Sequence, residues 1–464
     1  MCDTPQISSV TDSLFPNLDL GDKRRNARFA KVAQAIADNP GASLPKIFSD
    51  PSSYNACLNL FGSEHCTHSV LLRTHREACL ERMRGHDCPI LLIHDGTYLD
   101  FTGHSTLEPD LGQIGDGIGR GWLAHQTLAV DPESRQVFGL LGQILHVRGH
   151  TPKDETVEQK RMRKTRESLL WIKGLDEMGP VPEGCHWVDV GDRGADIFEF
   201  LQVLTDRKRR YVIRSCYSRA LGPVTKGRKA KELLHDRLRA QPAQACWKFE
   251  VAASTGKPAR STTLSAVADQ VTLSNPHIRK GNYRREPVEA VAIRVWETEP
   301  PIGEEPLEWV LLTNETVAGP SDLRRVVEWY ACRMQIEEFH KTQKSGMGVE
   351  NCQVQTVKKM EVVVALLSIL SVALLNIRMA ARNPEMANLP ASVMVPKAWI
   401  HVLAMLKSGK PEKWTVADFW VNLARLGGYL KNPLKHPPGW ITVWRGWSTL
   451  QPALRYHLLT QKIP

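Results

Sequence analysis

Residues 326–346 read VVEWYACRMQIEEFHKTQKSG. Wound as one helix at about 100° per residue, this stretch gathers Tyr330, Arg333, Glu337, His340, Lys341 and Lys344 into a stripe roughly 100° wide. Trp329, Cys332, Ile336 and Phe339 fall on a neighbouring apolar face. One carboxylate then stands among a phenol, a guanidinium and ammonium groups. That set suits a divalent cation and the phosphates around it. A plain surface helix, stabilised by Arg333–Glu337 and Glu337–Lys341 pairs, carries the same residues, so the surrounding chain has to decide.

Working outward, Leu307–Leu312 is a strand carrying Trp309 just upstream. Downstream, the apolar run Val362–Leu375 is too short for a bilayer and holds Ser368 and Ser371, so it reads as a buried helix. Farther upstream the pattern is strand-rich. Pro89–Ile93 ends at His94-Asp95-Gly96-Thr97, which places Asp95 where a buried strand leaves its sheet. Leu123–Val130 and Val137–Val147, separated by Asp131-Pro132, form an antiparallel pair. A helix over Arg161–Gly174 leads to the strand His186–Val190, then Gly191-Asp192, a helix over Asp196–Leu204 and a fifth strand, Tyr211–Arg214. Residues 215–306 interrupt this rhythm as a β-rich insertion. It has a basic helix (Lys226–Leu238) and period-two segments near Cys246–Ala252 and Val288–Trp296, with a basic turn between them.

The ends are helical. Asp22 is placed to cap KRRNARFAKVAQAIAD, with Phe29, Val32, Ala33 and Ile36 inside and Lys23, Arg24, Arg25, Arg28 and Lys31 outside. Asn39-Pro40-Gly41 ends that helix, and Ser52–Phe61 is a second one. Such a module reads either as a DNA-end reader or as a solvated helix pair. Residues 381–464 carry helices and a Trp-rich tail, Trp440, Trp444 and Trp447. The expected organisation is a helical domain over 1–68, an α/β domain over 69–380 that includes the insertion, and a helical region over 381–464.

A chain of 464 residues implies about two to four domains. Its net charge of +10 and clusters at Lys23–Arg28, Lys160–Arg166, Arg207–Arg210, Lys226–Lys231 and Arg279–Arg285 favour nucleic acid as the polyanionic partner. The ten cysteines are scattered without a CxxC pair. Cys66, His68, His75 and Cys79 match no familiar zinc spacing. Scattered thiols, and an N-terminus without a basic region before an apolar run, point to a reducing cytoplasm and no membrane partner.

Asp95, Asp192 and Glu337 now have comparable placements: two acids after strands and one on a helix. A single aspartate at a strand end is commonly a turn former. Three carboxylates converging from separate elements are what two ions about 3.5–4 Å apart require. Oxygen-only ligands favour magnesium, with manganese possible, over zinc.

These residues resemble a known family. Tyr330, Arg333, Glu337 and Lys344, spaced by two, three and six residues, are similar to the Tyr-Arg-Glu-Lys signature of the insertion-sequence-four family of Asp-Asp-Glu transposases, the family of the transposon-five transposase. The likeness extends through Leu20-Gly21-Asp22-x-Arg24-Arg25-x-Ala27-Arg28, Arg120-Gly121-Trp122, Asp192-Arg193-x-Ala195-Asp196-Ile197, Ile336–Lys341 and Ala424–Gly428. It implies a ribonuclease H-like mixed sheet with flanking helices. It also implies cut-and-paste transposition in the bacterial cytoplasm, at the nucleoid. One strand is nicked at a transposon end, the freed 3′-hydroxyl attacks the other strand to form a hairpin, and the opened end is joined to target DNA. By this likeness Asp95, Asp192 and Glu337 are catalytic and hold two magnesium ions. Tyr330, Arg333, Lys344 and Arg214 grip phosphates, Arg24, Arg25 and Arg28 meet the end duplex, and Trp309 flips a base. Two ends are cut together, so a homodimer in a synaptic complex is implied, with its protein contact in the C-terminal region. The Trp-rich tail either supplies apolar area to that contact or closes its own domain. Where the family has Arg-Glu-Ala-Asp, this chain has Arg193-Gly194-Ala195-Asp196; in a helix that glycine costs up to about 1 kcal/mol. Two rivals differ in class. A structure-specific nuclease would give nicks but no hairpin, and a domesticated DNA-binding regulator has no need of three converging acids.

Overall fold

The computed structural model describes residues 10–86, 88–115, 117–149, 154–222, 232–251, 260–275, 286–407, 410, 413–434 and 436–460. Its first helices are α1 (Val10–Leu14), α2 (Lys23–Ala37), α3 (Leu44–Ile47), α4 (Pro51–Phe61) and α5 (His68–Met83). The strands β1 (Ile90–Asp100), β2 (Gly112–Ile114), β3 (Gly119–Val130) and β4 (Val137–His146) follow, then α6 (Val157–Met162) and α7 (Leu170–Met178). Next come β5 (Trp187–Gly191), α8 (Phe198–Asp206), β6 (Arg210–Arg214), α9 (Leu234–Arg239), β7 (Ala245–Val251), β8 (Arg260–Leu273), β9 (Val288–Glu297) and β10 (Glu308–Thr313). The chain continues with α10 (Pro320–Ala331), α11 (Met334–Lys341), α12 (Val357–Ala380), α13 (Pro384–Ala387), α14 (Lys397–Leu406), α15 (Val416–Leu426) and α16 (Trp440–Thr460). By its contacts the chain divides into two compact units. One comprises Met1–His86, Gly96–Arg148 and Gln335–Pro464, the other Asp87–Asp95 and Gly149–Met334.

In the first unit, Asp22 caps α2 by accepting from the Arg24 and Arg25 amides at 2.7 and 3.1 Å. Phe29, Val32, Ala33 and Ile36 are buried, as their spacing predicts. β3 pairs antiparallel with β2 and β4. Helix α12 is 24 residues long and apolar enough to cross a membrane, longer than the run Val362–Leu375 indicates. Thr356 caps it, and 94% of its apolar window is buried within the protein, so it is a core helix. Its Ser368 sits in a buried polar chain. Gln143 Nε2 and Gln343 Nε2 both donate to Ser368 Oγ, at 2.9 and 2.6 Å, and Gln143 Oε1 lies 3.1 Å from His68 Nε2. The tail tryptophans turn inward: Trp399 packs edge-on against Trp447, Trp420 against Trp440, and Trp440 stacks on Trp444. These tail tryptophans therefore contribute to the core of their own unit.

The second unit is built on a mixed sheet ordered β1-β5-β6-β10-β9-β8-β7. β1–β5 and β5–β6 are parallel and the remaining pairs antiparallel. The segment expected as an insertion therefore continues this sheet edge to edge through β10 and β9. It contributes a long strand, β8, that the sequence reading did not anticipate. Lys226–Lys231 and the basic turn at 279–285 lie outside the described residues, and the helix expected over Lys226–Leu238 is seen as α9.

The stretch 326–346 is not one helix. The end of α10 tightens, with the Arg333 amide donating to the Tyr330 carbonyl at 3.0 Å, and α11 starts afresh at Met334. A π-turn, Thr342–Gly346, follows. The apolar face survives, since Trp329, Cys332, Ile336 and Phe339 are all buried. Lys341 pairs with Glu338 at 3.1 Å, and Arg333 stands against Asp95.

Candidate active site and nucleic-acid interface

Strands β1 and β5 run parallel with Ile90 opposite Trp187 and His94 opposite Gly191. Asp95 and Asp192 are the next residues of each, so both leave the paired region at one level of neighbouring strands, which lie about 5 Å apart. β1 itself runs on to Asp100, so Asp95 marks the end of its pairing with β5 and not, as expected, the end of the strand. Both carboxylates are half-buried. Asp192 Oδ1 accepts the Gly194 amide at 2.8 Å. Gly194 lies in the 3-10 turn Arg193–Ala195, ahead of α8. A Cβ there would approach Asp192 Oδ1 to 3.0 Å and Trp171 to 3.2 Å, so glycine leaves the carboxylate room.

Arg333 Nη1 stands 3.5 Å from Asp95 Oδ2, with side-chain exposures of 14% and 17%. Tyr330 is buried beside Arg333 and Arg214. Burial raises its pKa, while the two guanidiniums oppose that shift. Arg214 comes near the Tyr330 hydroxyl without hydrogen-bonding geometry and donates to the Glu308 carbonyl at 3.3 Å. Trp309 is half-buried, edge-on to Tyr330 at 5.1 Å and to Phe249 at 6.1 Å.

Beneath Asp95 and Asp192 lies a buried triad. His94 Nε2 donates to Asp189 Oδ1 at 2.8 Å, and Arg209 donates through Nε and Nη2 to both oxygens at 2.7 Å. Burial would raise the Asp189 pKa, but these donors and the Arg209 charge hold it below the usual carboxylate value. Next to this, Asp196 accepts from the Cys216 and Tyr217 amides and from Arg219, which ties down the turn after Arg214. Sequence reasoning passed over Asp189, although an acid inside the apolar run WVDVG is a signal of a buried, paired charge.

The first unit carries the other expected site residues. Glu337 lies half-buried on α11. Its neighbour Glu338 is anchored by Trp440 Nε1 at 2.8 Å and by the buried Arg378. Lys344, in the π-turn, pairs with Glu350 at 3.4 Å, and Glu350 accepts the Asp100 amide. On α2, Arg24 and Arg28 are exposed. Arg25 instead donates to the Leu20 carbonyl, so it holds the approach to the helix. His68 and His75 are spent on Gln143 and the Leu14 carbonyl.

Two neighbouring half-buried carboxylates make a donor set that fits a hard divalent cation. Among the described residues, no group of three or more His, Cys, Asp or Glu side chains is assembled to hold a metal ion. Over residues 7–66, the segment that contains α2 and its exposed arginines, the chain matches the family model described as transposase DNA-binding; this similarity supports DNA as the partner and a transposase as the kind of protein.

Proposed function

We propose that the chain is a cut-and-paste DNA transposase of the insertion-sequence-four kind, working on chromosomal DNA in the bacterial cytoplasm. In this reading the helical end-binding region spans 1–68, a ribonuclease H-like catalytic region spans 69–380, and a C-terminal region over 381–464 pairs two copies in a synaptic complex. The observation that carries it is the placement of Asp95 and Asp192 side by side on β1 and β5, with Arg333 against the first. The match to the transposase DNA-binding family model over residues 7–66 supports DNA as the substrate.

In this reading Asp95, Asp192 and Glu337 would hold two magnesium or manganese ions. When bound, such ions stabilise charge at the phosphate and lower the pKa of the attacking water. Arg333 exchanges Asp95 for a phosphate, to which its planar fork is matched. Tyr330, whose burial keeps its proton on, donates a neutral hydrogen bond. Lys344 and Arg214 bind neighbouring phosphates. Trp309, already exposed on one side, stacks on a base that leaves the helix as the strand bends.

The test is to incubate the protein and magnesium with duplex DNA from either side of its own gene. A hairpin end is expected; nicks alone would favour a nuclease, and binding without cleavage a regulator. Arg28→Ala should weaken end binding and reduce the slope of log affinity against log salt by about one. An unchanged slope would exclude a phosphate contact at Arg28.

A further inference from the structure

The π-turn Thr342–Gly346 holds Lys344 and is wedged between two distant parts of the first unit. Gly346 has no room for a side chain, because a Cβ there would overlap the six-membered ring of Trp444 on α16. On the other side, Gly41 packs against the Gly346 backbone. Its own Cβ would stand 2.7 Å from the Gly346 carbonyl oxygen, and its φ of +73° already favours glycine. Gly348, at φ +64°, lies against the same residue, with its ideal Cβ 3.8 Å from the Gly41 Cα. The clamp is reinforced where Gln451 Nε2 of α16 donates to the Asp38 carbonyl at the end of α2, at 3.0 Å. From below, Gln343 is fixed to Ser368, and Thr342 Oγ1 donates to the Glu338 carbonyl at 2.7 Å.

We infer that Gly346, held between Gly41 and Trp444, is a positioning residue. It fixes Lys344 relative to the arginine-bearing helix α2, so that a DNA end seated on α2 presents its cut phosphate to Lys344. This rests on the reading of Lys344 as a phosphate contact. A π-turn inserted after a helix is a common way to aim one side chain at the cost of regular hydrogen bonding. Close packing on both sides gives the turn a single arrangement.

The experiment is a double-mutant cycle on purified full-length protein, reading end-DNA affinity and single-turnover cleavage separately. Gly346→Ala should slow cleavage about tenfold or more, since roughly 1 Å of misplacement carries effects of that order, while affinity stays within about twofold of the parent. In a Lys344→Ala background the same change should slow cleavage no further. Trimming the opposing ring in Gly346→Ala/Trp444→Leu should restore most of the rate. Equal slowing with and without Lys344 would overturn the inference, as would a Gly346→Ala protein that cleaves like the parent. A Lys344→Ala protein with unchanged cleavage would overturn the phosphate-contact reading beneath it, and is distinguished by that single variant. Should Gly346→Ala fail to fold, Trp444→Leu alone loosens the same turn and takes its place in the cycle, with the same two outcomes.

Discussion

Asp192→Asn should remove DNA cleavage while leaving end binding and folding intact. The amide keeps an oxygen to accept the Gly194 N–H, which Asp192 Oδ1 accepts at 2.8 Å, and it matches the carboxylate in size, so the 3-10 turn before α8 has no reason to rearrange. What it loses is the negative charge. A ligand charge at a phosphoryl-transfer site contributes several kcal/mol, about 10²–10⁴-fold in rate. Affinity for DNA should hold or rise slightly, because one like charge is taken from beside the phosphates. Rate, affinity and thermal midpoint measured on one preparation check this. Cleavage within a few-fold of the parent would remove Asp192 from the chemistry, and a lowered midpoint would make its role structural.

Asp189→Asn should be the most destabilising single change in the second unit. Asp189 and Arg209 are almost wholly enclosed, and both carboxylate oxygens are taken by Arg209. Neutralising the acid strands a buried guanidinium, at a cost of about 3–5 kcal/mol, which lowers the thermal midpoint on the order of 10 °C. Replacing both partners, Asp189→Leu with Arg209→Met, should recover much of that loss. The same pair sets a pH dependence. The folded pKa of Asp189 lies below its unfolded value, so the unfolded chain binds the proton more readily. The stabilisation is complete above the ordinary carboxylate pKa and is lost as pH falls through the lower, folded one. In the Asp189→Asn protein that acid-side loss should shrink. An unchanged midpoint in Asp189→Asn would show that the triad does not hold the β5–β6 edge.

Much of the architecture was legible because local chemistry writes it. Asp22 was readable as a cap, and Ser52–Phe61 as a helix. The paired strands over Leu123–Val130 and Val137–Val147 followed from their apolar runs and turn. The segment over 215–306 was legible as β-rich, but period-two patterning marks a strand and not its neighbour. Only the pairing of β10 with β9 shows that those strands extend the sheet. Residue types and spacings marked the candidate site residues, but not their contacts. Asp189 went unnoticed because a buried acid is intelligible only beside its guanidinium, twenty residues later in the chain.

The amino-acid sequence determined which residues are inside and where helices and strands begin, because burial follows periodicity and capping needs only neighbours a few residues away. Its spacing also singled out Asp95, Asp192 and Glu337 as the acids to watch. Tertiary structure alone decided the partners. Arg333 stands against Asp95, Lys341 pairs with Glu338, Arg25 turns to a backbone carbonyl, and the tail tryptophans pack on one another. Competing ion pairs and packings of similar residues differ by about 1 kcal/mol. Distances set by remote segments of chain outweigh that difference, and no local pattern encodes them.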